Sequence, residues 1–578
     1  MKRIAQLLSC AFATSLLFTA VLVQLCHILN QEASWSTFKL FRLGWTIYWP
    51  YGCAPLLATI LGFYLVQFLQ GRSLRLWWLS VPVLTWSFAV VGSLTALLFL
   101  RNAVLYRAFL SPADSTGLIG ALSCWALFTL TMVLVGTYDH FFPKARWRRV
   151  GIILPCAVLI VFSMPVGISH QQRRPPPRQS YMQAAEPAPT HGRLILIGLE
   201  GGSLNYILPL ISQGRLPNFQ TLLHHGAGGR MQTLIPAQSR PLWATVFTGK
   251  PPAVHGVTSE YWYHFPKADI AFSLLPRTLF FQSVLERTGA LVVEAPPAFE
   301  RGALCYWDFF KRDNGLSAGI VDLWSPVRRL HGFQSGNPLF PDTTPYLPPE
   351  MESRARAIAA ESEVAAKSRV EKLLGGVSVP AEDQWKKELC IRAIWGDECA
   401  RRIADCLNTD VTAVRLRGLD MTSHYFPASF AGDIYSPIDQ SEMAFDRVVE
   451  QYYGFYDEII GTYLSALPPD ALLCVISVHG MDPLPAWRRL IEILQNRPPP
   501  VGGHERGPDG FIYFYGNCIA PGASVDQASV YSLLPTLLYY QGLPVGLDME
   551  GDILLDVFSR AFKETHPASY IPTHEIAP

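Results

Sequence analysis

The chain has 578 residues, of which 50% are hydrophobic and only 16% charged, against about 25% charged in a typical soluble domain. Its formal net charge of +1 is a cancellation: residues 1–168 carry 12 Lys and Arg against 3 Asp and Glu, and residues 169–578 carry 35 against 43. This excludes a single soluble domain and a small disulfide scaffold, and the mildly acidic larger part argues against a nucleic-acid binder.

Five apolar stretches come first, at 4–29, 50–69, 77–99, 116–137 and 150–168. Each is about 18–26 residues long, enough to cross a hydrocarbon core of about 30 Å, and none has a charge in its interior. The first follows Met1-Lys2-Arg3 and lacks a small-residue cleavage site, so it reads as a retained helix. Lys2, Arg3, Arg72, Arg75, Lys144, Arg146, Arg148 and Arg149 fall on one side of the five crossings. Only Lys39, Arg42, Arg101 and Arg107 fall on the other. The richer side is expected to be cytoplasmic. Everything after residue 168 is then extracytoplasmic, or periplasmic in a cell with two membranes. Trp45, Tyr48, Trp49, Trp77 and Trp78 cluster near stretch ends, as interfacial anchors do. Membrane lipids are the expected surroundings of residues 1–168. Residues 169–192 are Pro-rich and aperiodic and form the domain linker.

Beyond the linker, short apolar runs at 193–199, 290–294, 317–321, 411–417, 471–478 and 510–515 read as strands. Helical patterns follow the first run to about 225 and recur at 351–374, 384–407, 441–467 and 527–541. Strands alternating with helices imply an α/β fold with helices on both faces of a central sheet. In such sheets ligands sit at the carboxyl ends of the strands. Cys305, Cys390, Cys399, Cys406, Cys474 and Cys518 lie outside the apolar N-terminal stretches in no zinc or redox spacing. Cys474 reads as core, and pairing among Cys390, Cys399 and Cys406 is left open.

Polar residues gather at the predicted strand ends. Glu200 ends the first strand, Asp420 and His424 follow the 411–417 strand, His479 follows Val478, and His504 precedes the 510–515 strand. An Asp and a His four apart share one face of a helical turn and can reach one cation. Carboxylate with imidazole suits Zn, Mn or Fe. Ser239 opens the helical segment Ser239-Arg240-Pro241-Leu242-Trp243. A hydroxyl there can be a metal-activated nucleophile beside amides that favour phosphate, or simply an N-cap.

The order of these motifs resembles the type I phosphodiesterase/nucleotide pyrophosphatase family of the alkaline phosphatase superfamily. LILIGLEGGS looks like its first metal-binding strand and turn, and the run from Gly214 to Val257 is close to its nucleophile region. RGLDMTSHYF looks like its central metal motif, ISVHGM its S-D-H-G-M element, and GGHERGPDGFIYFYG its last histidine motif. The resemblance covers 193–258 and 411–555, within an alkaline-phosphatase-like domain of 193–560 followed by a tail of 561–578. Residues 259–410 match poorly and are expected as a lid or insertion. The N-terminal layout is similar to that of phosphoethanolamine transferases and lipoteichoic acid synthases.

By this resemblance Ser239 is the nucleophile, and Asp420, His424 and His504 hold one cation. Glu200, Ser239, Val478 and His479 stand where a second is held. Glu200 adds a methylene to the family's Asp, Val478 removes a ligand, and Asp482 lies near in sequence. His255 recurs in the family pattern and reads as structural. The resemblance implies a membrane-anchored hydrolase of phosphate esters, lipid-linked or nucleotide, with one or two divalent ions, Zn or Mn. A phospho-alcohol transferase to lipid or glycan acceptors and a non-catalytic relative with a degenerate second metal site are the alternatives. The aromatics Tyr261, Trp262, Tyr263, Trp307 and Trp324 read as a small core more readily than as a stacking surface.

Overall fold

The computed structural model describes residues 2–52, 81–141, 192–277, 281–294, 303–311, 317–322, 332–335, 349–374, 379–426, 447–485, 489–490, 493 and 500–575. These fall into two compact units, one made of 2–141 with 258–294 and the other of 192–257 with 303–575.

The first unit contains helices α1 (Lys2–Leu29), α2 (Thr37–Ile47), α3 (Val81–Leu105) and α4 (Pro112–Phe141). Among the described residues, two helical spans are long and apolar enough to cross a membrane, Phe88–Leu105 and Pro112–Tyr138. That is two rather than the expected five. In α1 only the shorter apolar stretch Ser15–Leu29 qualifies, and residues 53–69 and 150–168 lie outside the described residues. A buried polar pair joins two of these helices, as an apolar environment favours: Trp125 Nε1 donates to Gln24 Oε1 at 3.0 Å. Ser36 caps α2 by accepting from the amide of Lys39.

Residues 258–294 belong to this unit. They form a small antiparallel sheet of Trp262–Phe265, Ile270–Phe272 and Val292–Glu294, with a helix at Phe281–Arg287. Asn30, just past α1, accepts from the amides of Ser273 and Leu274 and donates to the Leu274 carbonyl. Tyr106 donates to the Leu275 carbonyl, and the Arg277 amide donates to Asn102 Oδ1. The region expected as one insertion over 259–410 is thus divided, and its first part packs on helix ends of the N-terminal unit. The 290–294 run is a strand, but of this small sheet and not of the central one.

The second unit is built on eight strands: β1 (Leu194–Leu199), β2 (Ala227–Gln232), β3 (Ala318–Val321), β4 (Gly332–Ser335), β5 (Val411–Leu416), β6 (Leu472–Ser477), β7 (Gly510–Tyr515) and β8 (Ala528–Ser529). Their order is β8-β2-β7-β6-β1-β5-β3-β4, and only β7 runs against the rest. β1, β5 and β6 are buried along their whole length. This is why their sequences are continuous apolar runs rather than alternating ones. β3 and β4 come from within 259–410, so the remainder of that region supplies central-sheet strands.

Helices α5 (Leu204–Ser212), α6 (Pro217–His225), α7 (Ser239–Thr248), α8 (Pro349–Leu373), α9 (Gln384–Asp405), α10 (Gly418–Ser423), α11 (Val448–Ala466) and α12 (Leu533–Tyr540) cover the sheet. One face buries Trp243, Phe247, Leu533 and Leu537 of α7 and α12 against Leu194, Leu196 and Cys474. The other buries Phe219, Ile394, Ile403, Tyr452 and Tyr456 against Ile195, Ile197 and Val475. Trp307 packs into the first of these cores, 4.7 Å from Phe247, and Tyr263 is buried in the N-terminal unit. Cys305, Cys390, Cys399, Cys406, Cys474 and Cys518 are free thiols.

Candidate active site

Glu200 and His479 sit just past the carboxyl ends of β1 and β6. Asp420 lies on the short helix after β5, and Ser239 is the first residue of α7, with Gln238 at its N-cap. The parallel pairing of β1 with β5 and β6 brings these ends level. Trp243 lies one helical turn beyond Ser239 and donates through Nε1 to Glu200 Oε2 at 2.7 Å. It can do so because β1 has Gly198 beneath it: a Cβ there would lie 2.4 Å from the indole ring.

The six residues singled out from the sequence form one connected cluster. Ser239 Oγ is 3.5 Å from His479 Nε2, which is 3.1 Å from Glu200 Oε1. His424 Nε2 is 3.6 Å from Asp420 Oδ2, and His504 Nε2 is 3.8 Å from Asp420 Oδ1. The rings of His479 and His504 stack at 4.2 Å. One donor atom each from Asp420, His479 and His504 lies within 4.8 Å of the others, a spacing that can hold a metal ion. This grouping differs from the expected set: His424 faces Asp420, but His479 takes its place in the tightest group.

The imidazoles are oriented alike. Nδ1 of His424 meets the Gly502 carbonyl at 3.0 Å, Nδ1 of His479 the Gly480 carbonyl at 3.0 Å, and Nδ1 of His504 the Ala237 carbonyl at 2.7 Å. A carbonyl only accepts, so each Nδ1 carries the hydrogen and each neutral ring keeps its lone pair on Nε2. All three Nε2 atoms face carboxylates of the cluster. Asp420 Oδ1 is buried with no hydrogen-bond partner. The Nε2 lone pairs of neutral His424 and His504, that of His479 once its Nε2 proton is lost, and an uncompensated carboxylate oxygen in one buried place are a donor set that a divalent cation fits.

The charges respond to this arrangement. Burial alone would raise the Asp420 carboxyl, but the facing His424 and His504 hold it well below the usual carboxylate range. Burial and the His479 charge push His504 down to about 4, which keeps it neutral at pH 7. For Glu200, burial is outweighed by the His479 hydrogen bond and the Arg415 charge, which bring it down to about 2. Burial pulls His479 down, but its hydrogen bond to Glu200 outweighs this and leaves the imidazole raised.

Four participants were not found from sequence. Arg415, inside β5, is 3.4 Å from Glu200 Oε2. Asp322, just after β3, accepts from Arg415 Nε through its carbonyl at 2.8 Å, and its carboxylate lies 3.9 Å from Arg415 and 3.8 Å from Arg417. Trp243 holds Glu200. Asp397 of α9 accepts from the amides of Arg417 and Gly418 and from the hydroxyls of Tyr452 and Tyr456. The one available signal was a lone Arg in an otherwise apolar strand. Of the remaining candidates, His255 is structural: its Nδ1 accepts from the Val257 amide and its Nε2 meets Thr245 Oγ1 at 3.0 Å. Asp482 is exposed, with its backbone paired to Gly503.

Residues 194–517 match the type I phosphodiesterase / nucleotide pyrophosphatase family. The chain belongs to that family. Among solved structures, it is similar to an inactive variant of murine ectonucleotide pyrophosphatase / phosphodiesterase 5 in complex with AMP, at 14% identity and a TM-score of 0.38 over 64% of this chain and 100% of that one. It is also similar to wild-type alkaline phosphatase PafA, at 11% identity and a TM-score of 0.41 over 64% and 100%. Phosphonoacetate hydrolase from Sinorhizobium meliloti 1021 follows at 16% identity and a TM-score of 0.31 over 56% and 66%. No curated protein matches the chain in sequence.

Proposed function

We propose that the second unit is a metal-dependent phosphodiesterase, anchored in a membrane by the N-terminal helices and working on its outer face. The observation that carries this is the meeting of the Ser239 hydroxyl, at the start of α7, with Nε2 of His479 beside the Asp420–His504 pair. The substrate is a phosphodiester, of nucleotide or lipid-linked type.

Asp420, His479 and His504 would hold the cation, with His424 orienting Asp420. Zn suits this nitrogen and oxygen donor set, and Mn is the next choice. Such an ion, when bound, neutralises developing phosphate charge and acidifies a nearby hydroxyl. Ser239 Oγ gives up its proton and attacks phosphorus in line, an alcohol or nucleotide leaves and takes up a proton, and water then attacks the seryl phosphodiester, releasing a phosphate monoester and restoring the Ser239 hydroxyl. The Ser239 and Arg240 amides open α7 without intrahelical acceptors, and such a helix start favours a phosphate group. Glu200 and Trp243 fix His479 and the first turn of α7 against each other, so the nucleophile is placed before substrate arrives.

The test is turnover by the full-length protein in detergent, loaded with Zn or Mn, on aryl and nucleotide phosphodiesters. Ser239→Ala is expected to lower kcat by about 10³-fold or more while still binding metal. Unchanged turnover in this variant, or none in the metal-loaded wild type, overturns the proposal. Product analysis with an added alcohol separates hydrolysis from transfer.

A further inference from the structure

We propose that this chain has closed the second of the two cation positions that its family resemblance implies, and that the guanidinium of Arg415, held between Glu200 and Asp322, is the fixed positive charge there. This rests on the phosphodiesterase reading of the same site and narrows it to one bound ion.

The second position calls for Glu200, Ser239, residue 478 and His479. Val478 offers no donor atom and is fully buried. Glu200 Oε2 is already engaged by Trp243 Nε1 at 2.7 Å and Arg415 Nη1 at 3.4 Å, and Oε1 lies 3.1 Å from His479 Nε2. A cation on Glu200 would share its oxygens with a guanidinium that cannot give up its proton. Glu200 and Arg415 are each 2% exposed, so water screens little of the repulsion between the two positive charges.

The surroundings of Arg415 are built to keep it. It sits opposite Gly198 across the β1–β5 pairing, where the neighbouring strand has no side chain. Asp322 follows β3 with φ at +54°, a left-handed conformation rare for a residue with a Cβ. In that conformation its carbonyl accepts from Arg415 Nε while its buried carboxylate faces Nη2. Glu200, with one methylene more than Asp, spans His479 on one side and Arg415 with Trp243 on the other. The charge a second ion would bring is supplied by a side chain, with an acid on each side to balance it.

The test is elemental analysis of zinc per chain, on full-length protein in detergent after equilibration with Zn²⁺ alone and removal of excess. Wild type is expected to hold about one ion. Val478→Asp alone is expected to stay near one, because Arg415 still occupies Glu200. Val478→Asp with Arg415→Met is expected to rise to about two. Two ions in the wild type or in Val478→Asp overturn the inference, as does a folded double variant that stays at one. Circular dichroism checks folding; if the double variant does not fold, the wild type and Val478→Asp decide the matter. Two ions with turnover sink this inference and leave the phosphodiesterase reading standing. One ion without turnover does the reverse, and no ion overturns both.

Discussion

His424, His479 and His504 each turn Nδ1 toward a main-chain carbonyl, so backbone geometry sets their tautomers before any cation arrives. The distances then rank them. His504 belongs to the tightest donor group with Asp420 and His479, whereas His424 stands 3.6 Å from Asp420 and outside it. His504→Ala is therefore expected to weaken zinc binding by about 100-fold or more, and His424→Ala by less. Chelator competition on the two full-length variants gives the order; the reverse order would place the ion in the Asp420–His424–His504 set of the family pattern. All six residues of the cluster were singled out in the sequence: Glu200, Asp420, His424 and His479 by strand ends and helical spacing, His504 as a histidine before a strand, and Ser239 as a hydroxyl opening a helix whose role came from the family resemblance. Arg415 and Asp322 were not. Their meaning comes from strand neighbours far apart in the chain, and one sequence without strand order cannot show that residue 415 faces residue 200.

At the level of elements, the helix that carries Asp420 is held from outside itself. The α9 carboxylate of Asp397 takes the amides of Arg417 and Gly418 at the start of α10, together with two tyrosine hydroxyls. Burial nevertheless pushes Asp397 up to about 6. A carboxyl raised in the folded state stabilises most below its unfolded value, near 4, and loses that contribution as pH rises through 6. Two units correspond to about 3 kcal/mol. Between pH 4 and 7 the wild type is expected to lose about that much stability relative to Asp397→Asn in denaturant unfolding, and parallel pH profiles would refute it. Strand β1 makes a second case. A Cβ on Gly198 would strike the Trp243 ring, so Gly198→Ala is expected to cost about 1–3 kcal/mol and to lower turnover by displacing the Glu200 contact. Thermal unfolding and kcat measure the two effects separately. β1, β3, β5, β6 and β7 were readable as apolar runs, but β2, AGGRMQ, was not. Its glycines are there because neighbouring backbone runs close on both sides: a Cβ on Gly228 would lie 2.0 Å from the Ile512 carbonyl oxygen of β7, and one on Gly229 would lie 2.4 Å from the Val525 carbonyl oxygen. β8 begins where a helix from 527 was expected; the helix starts only at Leu533.

For the whole molecule the deciding matter is which side of the membrane the second unit occupies. Within the N-terminal unit, residues 258–294 bind the chain just past α1 through Asn30, and the end of α3 through Asn102 and Tyr106. The C-terminal ends of α1 and α3 therefore lie on the same side as this segment. α1 begins with Lys2 and Arg3, which favour the cytoplasm; on the orientation proposed above its far end would be outside, and the second unit is proposed to be outside as well. α2 fits that level of the membrane. Phe38, Phe41 and Trp45 are exposed on one of its faces while Leu43 and Ile47 are buried on the other. Such an aromatic face suits a helix lying in the headgroup region. A protease added to sealed membrane vesicles of native orientation is then expected to degrade the second unit without detergent, and to spare the α3–α4 pair. Protection of the second unit until the vesicles are opened would place the site on the cytoplasmic face and reverse the orientation derived from the basic residues.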